Sequence, residues 1–220
     1  RLNSYTVSLN PPEKRHAEYQ SEFKWAIHNS AKRWLKLWED YQVVTVKERL
    51  RMLDDSFMAE MFGAILVGIT DGGQAQISKM YFRFSKSAPI VESDLSTASN
   101  KVDAGLAFIV EQFDDVLRQS AFLKNSAHFL MLFAAVCHAK YGIPNGAMDH
   151  DMPPRPTVPT LATLDVVKQN LIALDELIAS PEPPNHLEPF WAASVSTTHR
   201  IASRKVRFPI YCQALNPQPI

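Results

Sequence analysis

Residues 49–73, RLRMLDDSFMAEMFGAILVGITDGG, constrain the fold of this chain more than any other stretch. Their apolar residues recur at i, i+1, i+4, i+5, i+8, i+9 and i+12, which is one broad face of an α-helix. These residues are Phe57, Met58, Met61, Phe62, Ile65, Leu66 and Ile69. We predict that Asp54 or Asp55 caps the first turn, and that Gly68 and the turn at residues 71–73 end the helix. Such a wide apolar face must be covered, so we expect a core helix.

Helical spacing of apolar residues continues through most of the chain. The predicted helices are one or two within 13–38, one at 74–84, one that begins near Glu92, one around 129–136, one at 161–179 and one from about Thr198 to Leu215. Pro209 is expected to kink or divide the last helix. Residues 43–46 are β-branched but have no evident partner strand, which favours an extended link. The fold class is therefore all-α, as an irregular multi-helix bundle.

Proline divides this bundle into parts. Residues 141–160 contain Pro144, Pro153, Pro154, Pro156 and Pro159, which predicts a long irregular loop. We therefore expect residues 1–12 to be a linker or the end of a preceding domain, 13–140 a helical body, 141–160 the proline-rich loop, and 161–220 the C-terminal helices that complete the body.

The charge of the chain is balanced overall but uneven along its length. The 220 residues include 23 basic and 23 acidic ones, so a nucleic-acid role would need a local basic patch. Residues 141–190 contain seven acidic and two basic residues, whereas residues 191–220 contain four basic residues and no acidic one. The C-terminus is the basic end.

Cysteine content and hydropathy exclude several classes of protein. Cys137 and Cys212 are the only two cysteines, which indicates neither a disulfide scaffold nor a zinc module. No run of eighteen apolar residues and no signal peptide is evident, so we expect a cytoplasmic protein with no membrane partner.

The basic residues near the C-terminus are the candidate nucleic-acid-binding residues. Arg200, Arg204 and Arg207 recur at i, i+4 and i+7, so they share one helix face, and Lys205 lies alongside. The predicted helix start at residues 194–198 adds backbone N–H groups that suit a phosphate. The alternative is a solvated face, or one that pairs with the acidic residues of 141–190.

Other candidate sites are weaker. Asp149, His150 and Asp151 offer metal ligands, but contiguous residues do not easily face one ion, so we predict no metal site. His128 and His138 are expected to be hydrogen-bonded core residues. The tryptophans at 25, 34 and 38 could stack on bases, but their helical spacing favours the core. No Walker A or GxGxxG sequence and no nucleophile elbow occurs, so we assign no catalytic residue.

The opening RLNSYTVSLNPPEKRHAEYQSEF resembles the segment that closes the ParB/sulfiredoxin-like domain in the bacterial family typified by the GmrS half of GmrSD-type restriction enzymes. The matching residues are Arg1, Leu2, Asn3, Leu9, Asn10, Glu13, Arg15, Ala17, Tyr19 and Phe23. A second match covers Arg51, Met52, Asp54, Asp55, Glu60 and Gly68. A third covers Ser196, Thr197, Thr198, Arg204, Arg207 and Phe208.

The resemblance implies a bacterial protein that acts in the restriction of foreign DNA, with a nucleotide-handling ParB-like domain and a helical body. The Asp-Gly-Gln-Gln-Arg signature of the nucleotide site and an HNH nuclease module are absent from this sequence. Any nuclease activity, nucleotide and Mg²⁺ would thus belong to a domain upstream of Arg1 or to a partner subunit. Arg1 and Asn3 would lie at the edge of that nucleotide site, or would be turn residues that tie the two domains together.

Two functions follow from these observations. The first is a helical C-terminal domain of a ParB-like, DNA-targeting defence protein, whose basic terminal helix contacts DNA or a partner. The second is a structural module that holds domains or subunits together, including as an oligomer, without binding nucleic acid.

Overall fold

The computed structural model describes residues 8–218 of the chain, and this part consists of helices joined by irregular segments without any β-strand. The α-helices are α1 Pro11–Glu18, α2 Glu22–Arg33, α3 Leu35–Tyr41, α4 Val46–Arg49, α5 Leu53–Leu66, α6 Gln74–Phe82, α7 Glu92–Gln119, α8 Ser126–Tyr141, α9 Leu164–Ala179, α10 Glu188–Val195 and α11 Ile201–Ala214. A π-helical turn follows α6 at Arg83–Ser87, and 3₁₀ turns lie at Asp149–Asp151 and Asn185–Leu187. The predicted all-α class is confirmed.

The predicted core helix corresponds to α5, which begins at Leu53 and ends at Leu66, two residues before the predicted stop at Gly68. Met52 adopts a left-handed backbone conformation with φ 57°, which separates α5 from the short α4. The N-cap residue of α5 is Met52, which makes no side-chain capping bond, and the predicted Asp54 and Asp55 lie in the first turn of the helix. Ten of its fourteen residues are buried, which confirms its place in the core.

The second core element is α8, which is buried on nearly every side. Twelve of its sixteen residues are buried, as the apolar sequence around Phe129 to Val136 predicts. Helices α5, α7 and α11 pack directly against it, and α2 covers the other side of α5. Two central helices, α5 and α8, therefore hold the remaining helices around one continuous core.

The proline-rich segment between α8 and α9 is irregular, as predicted, and it is docked against the end of α5. Ala147 donates its backbone N–H to the Ile69 carbonyl at 2.7 Å. Gly68 has φ +93°, and a Cβ atom there would lie 1.9 Å from the Pro144 carbonyl oxygen and 2.7 Å from the Gly146 nitrogen. Only glycine fits this crossing of two backbones.

The C-terminal region differs from the sequence prediction. Residues 188–195 form α10, which the periodicity analysis missed, and the last helix begins at Ile201 rather than near Thr198. Pro209 lies inside α11 without interrupting it. Both cysteines are buried as free thiols, and burial raises the pKa of each.

Among residues 8–218, no helix combines the length and the apolar character that crossing a membrane requires. The predicted nucleotide-site residues Arg1 and Asn3 lie outside the described residues.

Candidate functional site

The four basic residues predicted to contact nucleic acid do not share one solvent-exposed face. Arg204 is 5% exposed and Arg207 is fully buried, whereas Arg200 is exposed and Lys205 is partly buried. Five of the seven buried residues of α11 recur at i, i+3, i+4, i+7 and i+8, which is a helical core stripe. They are Arg204, Arg207, Phe208, Tyr211 and Cys212. Two of the predicted phosphate ligands therefore point into the protein.

Arg204 joins α11 to α5. Its Nη2 donates to Glu60 Oε1 at 2.6 Å, and its Nη1 donates to the Thr70 carbonyl at 3.1 Å. The Asp71 carboxylate accepts the backbone N–H of Ile201 at 2.7 Å, at the start of α11. We name the group Glu60, Thr70, Asp71 and Arg204 the C-terminal joint. Because both charges of the ion pair are largely withdrawn from water, the pair is an internal contact that positions α11.

Arg207 is a buried cation that is held by carbonyl groups. It donates to the carbonyls of Ala127 and Thr198, which lie at the start of α8 and just before α11. Burial lowers the pKa of Arg207 to about 10, so the side chain keeps its charge at neutral pH. Its contacts tie the segment before α11 to α8.

Arg200 and Lys205 are the two predicted residues that reach solvent. Arg200 precedes the first turn of α11, and Lys205 donates to Asp151 at 3.1 Å. This exposed ion pair links the basic C-terminal region to the acidic segment 141–190, which is the alternative pairing that the charge distribution indicates.

At the other end of the chain, Asn10, Glu13 and Arg51 form a second polar contact with the α5 region. Asn10 and Glu13 cap α1 reciprocally, with the Glu13 N–H donating to Asn10 Oδ1 at 2.9 Å. Arg51 Nε donates to Glu13 Oε1 at 2.7 Å, and the Asn10 side-chain amide donates to the Arg51 carbonyl at 2.9 Å. The backbone N–H of Asn10 and the Arg51 guanidinium both lower the pKa of Glu13.

Arg15 extends this contact into the interior. Its guanidinium donates to Ser56 Oγ at 2.7 Å, to Gln74 Oε1 at 2.6 Å and to Ser78 Oγ at 3.2 Å. These acceptors lie on α5 and α6, so one buried side chain of α1 joins both helices. We name Asn10, Glu13, Arg15 and Arg51 the N-terminal joint.

A cavity of about 110 Å³ lies beside the C-terminal joint. Its polar lining includes Glu60, Asp71 and Arg204, and the exposed Lys79 and Arg83 also belong to the lining. Its apolar lining comprises Ala64, Val67, Ile77, Met80, Leu130 and Met131. Within the described part of the chain, Arg204 Nε is buried and finds no acceptor. The cavity therefore combines an apolar wall with the charged groups of the C-terminal joint.

The two predicted core histidines are hydrogen-bonded as expected. His128 lies between the Tyr211 hydroxyl, at 2.9 Å from Nδ1, and the Ser194 carbonyl, at 3.1 Å from Nε2. A carbonyl only accepts, so Nε2 carries the proton and Nδ1 accepts from Tyr211. Burial, together with the nearby Arg207, lowers the pKa of His128 to about 4. His138 accepts from the Ile143 N–H and donates to the Pro153 carbonyl.

The tryptophans and the Asp149–Asp151 turn offer little to a ligand. Trp38 is buried and donates to the Ala31 carbonyl, Trp34 donates to Asp103, and Trp25 is partly exposed with the Lys24 ammonium 3.1 Å from its ring centre. Asp149, His150 and Asp151 lie on an exposed 3₁₀ turn.

A different set of metal-ligating side chains converges from three helices. His16 of α1, His28 of α2 and Asp55 of α5 place one ligand atom each within 4.8 Å of one another. Sequence reasoning missed this cluster because its members are 12 and 27 residues apart and share no motif.

In comparisons with protein-family models, curated proteins and solved structures, nothing matches this chain. The family resemblance therefore remains a prediction.

Proposed function

We propose that this chain is the helical body of a ParB-like, DNA-targeting defence protein of the restriction type, and that it anchors neighbouring parts of that protein. In this proposal the protein acts in the bacterial cytoplasm. Nucleotide and Mg²⁺ chemistry belong to the ParB-like domain, and the residues described here contribute no catalytic group.

The observation that carries this proposal is the way the three resembling segments contact one another. Glu13 of the first segment bonds to Arg51 of the second, Glu60 of the second bonds to Arg204 of the third, and Arg207 bonds to Thr198 within the third. Residues that bound DNA would need their polar atoms free toward solvent. These polar atoms are instead used to join α1 and α11 to the region of α5.

An exposed apolar surface beside the N-terminal joint supports an anchoring role. Val46 and Leu50, four residues apart on and just after α4, are 63% and 78% exposed, and Leu9 is 52% exposed. The neighbouring residues Asn10 and Arg51 are bonded to each other, so Leu9 and Leu50 flank one contact. Apolar side chains grouped in this way are typical of a surface that another domain covers. We place the preceding ParB-like domain on this surface.

A DNA-binding titration tests the proposal against direct contact by the terminal helix. Arg204 and Arg207 are unsuitable for this test, because their replacement disturbs the core. The informative variant is Arg200→Ala with Lys205→Ala, and the matched control is Lys32→Ala with Lys36→Ala, which removes two exposed charges from α2 and α3.

Binding of labelled duplex DNA is measured by fluorescence anisotropy at several salt concentrations. We expect the Arg200/Lys205 variant to bind with the affinity and salt dependence of its control. A loss of affinity in the Arg200/Lys205 variant but not in its control would instead assign DNA contact to α11. In that case the slope of log affinity against log salt concentration would fall by about one for each phosphate contact removed. Gel filtration of the same proteins reports whether the apolar surface mediates self-association.

A further inference from the structure

The His16, His28 and Asp55 side chains form a cluster with the donor set of a zinc site. Two imidazoles and one carboxylate suit Zn²⁺, whereas Mg²⁺ and Ca²⁺ prefer oxygen ligands. The three residues come from α1, α2 and α5, and α1 and α2 each pack against α5. Their positions are thus fixed by the fold rather than by a loop.

The distances within the cluster are close to those that a tetrahedral ion requires. His28 Nδ1 is hydrogen-bonded to the Asp55 carboxylate, at 2.9 Å from Oδ2, and a bound ion would replace the proton of this bond; His16 Nδ1 lies 3.8 Å from the same oxygen. Ligand bonds of about 2.0–2.1 Å in a tetrahedron place neighbouring ligand atoms roughly 3.4 Å apart. The two observed distances lie on either side of this value, and all three ligand atoms lie within 4.8 Å of one another, so the side chains would shift by up to roughly 1.4 Å to hold an ion.

The His16 ring has a nitrogen that the protein leaves unsatisfied. In the described part of the chain, Nδ1 of His16 is buried and has no hydrogen-bond partner. A buried polar atom without a partner is costly, and a bound cation would satisfy it.

The geometry points to a Zn²⁺ site formed by His16, His28 and Asp55, with its fourth position open to solvent beside His16. The His16 side chain is 31% exposed, whereas those of His28 and Asp55 are 15% and 10% exposed. Nδ1 of His16 is itself buried, so water reaches the cluster only past the partly exposed His16 ring. Water would occupy the fourth position, as in zinc sites with three protein ligands.

Neighbouring cations limit the affinity of this site. Lys24 is buried beside the cluster, and the Arg15 charge acts on Asp55 as well. Both oppose a bound dication. We therefore expect weaker binding than at a closed site with four protein ligands, and no requirement for the metal in folding.

Titration of the tag-free chain with Co²⁺, a spectroscopic substitute for Zn²⁺, tests this site. We expect one Co²⁺ per chain with the intense visible absorption of tetrahedral coordination, and displacement of Co²⁺ by Zn²⁺. His16→Ala should weaken binding at least tenfold and is expected to fold, because this side chain is the most exposed of the three. His150→Ala is the control, since it removes an exposed histidine between Asp149 and Asp151.

Circular dichroism of each variant verifies folding before titration. Asp55→Asn is a second variant that keeps the side-chain volume and should also abolish the tetrahedral spectrum. Absence of the spectrum in the wild-type chain would refute the site. Binding of Co²⁺ by His16→Ala with wild-type affinity would also refute the site. A loss of binding in His150→Ala but not in His16→Ala would refute it as well.

Discussion

Replacement of Arg204 by methionine probes the buried ion pair that joins α11 to α5. The Glu60 carboxylate would lose a donor at 2.6 Å, and the Thr70 carbonyl would lose one at 3.1 Å. The side chains of Arg204 and Glu60 are 7% and 20% exposed, so Glu60 would be left as a largely buried charge. Breaking a buried pair costs about 3–5 kcal/mol, and the partial exposure of Glu60 reduces this to about 2–4 kcal/mol.

A double-mutant cycle separates the pair from the rest of the packing. Urea unfolding is measured for the wild type, Arg204→Met, Glu60→Leu and the double variant. We expect a coupling energy of about 1–3 kcal/mol, as for residues in direct contact. We also expect the double variant to be more stable than Arg204→Met, because no charge is then left buried alone.

The matched control is the exposed pair Lys86–Glu18, in which both side chains are about half exposed. Its coupling should be close to zero, since water screens such pairs. Equal coupling in the two cycles would refute the internal role that we assign to Arg204.

Two further predictions concern a buried histidine and a crowded glycine. The folded-state pKa of His128 is about 4, below its ordinary value of 6.5, so the folded protein takes up its proton later than the unfolded chain as pH falls. The stability that neutral His128 provides is therefore complete above pH 6.5, and about 3 kcal/mol is lost as pH falls to 4. Unfolding free energies at pH 7, 5 and 4 should show this loss in the wild type but not in His128→Asn, and parallel curves would contradict it. Gly68→Ala should destabilise the protein by about 3 kcal/mol or more, because its Cβ would collide with the Pro144 carbonyl. Gly142→Ala, also at positive φ but in open space, should cost only about 1 kcal/mol, and equal losses in thermal unfolding would exclude a steric cause.

The helices with long apolar repeats were predictable from sequence. The start of α7 at Glu92 and the burial of α8 follow from spacing and composition, because tertiary packing reinforces those local signals. The end of α4 and the start of α5 were not predictable, because the left-handed conformation of Met52 has no residue signal of its own. Helix α10 is only eight residues long and follows a proline-rich turn, so its periodicity is weak.

The four basic residues of the predicted face are divided between the core and solvent, and the sequence contains part of the reason. If the arginines formed a polar face of α11, then Ile201, Val206 and Ile210 would lie on its apolar face. In the structure these three residues are only partly buried. The stripe through Phe208, Tyr211 and Cys212 is the buried one, and extending it backward by helical spacing reaches Arg204 and Arg207. Burial of an arginine depends on acceptors such as Glu60 that lie far away in sequence, and periodicity cannot reveal them.

The His16, His28 and Asp55 cluster and the N-terminal joint also bring together residues that are far apart in sequence, so periodicity does not reveal them. The contact between Arg51 and Glu13 joins residues that are 38 positions apart in sequence. The hydrogen-bond partners of Arg15 could not be predicted from the sequence, because its acceptors on α5 and α6 lie at least 41 residues away.

Our central claim is that Asn10, Glu13 and Arg51 anchor the N-terminal segment to the region of α5. Hydrogen–deuterium exchange of Arg51→Ala, with the exposed neighbour Lys47→Ala as control, tests this claim most directly. We predict faster amide exchange in α1 and its flanking residues for Arg51→Ala, with unchanged protection in α5 and α8 and no change for Lys47→Ala. Unchanged protection of α1 in Arg51→Ala would contradict the claim.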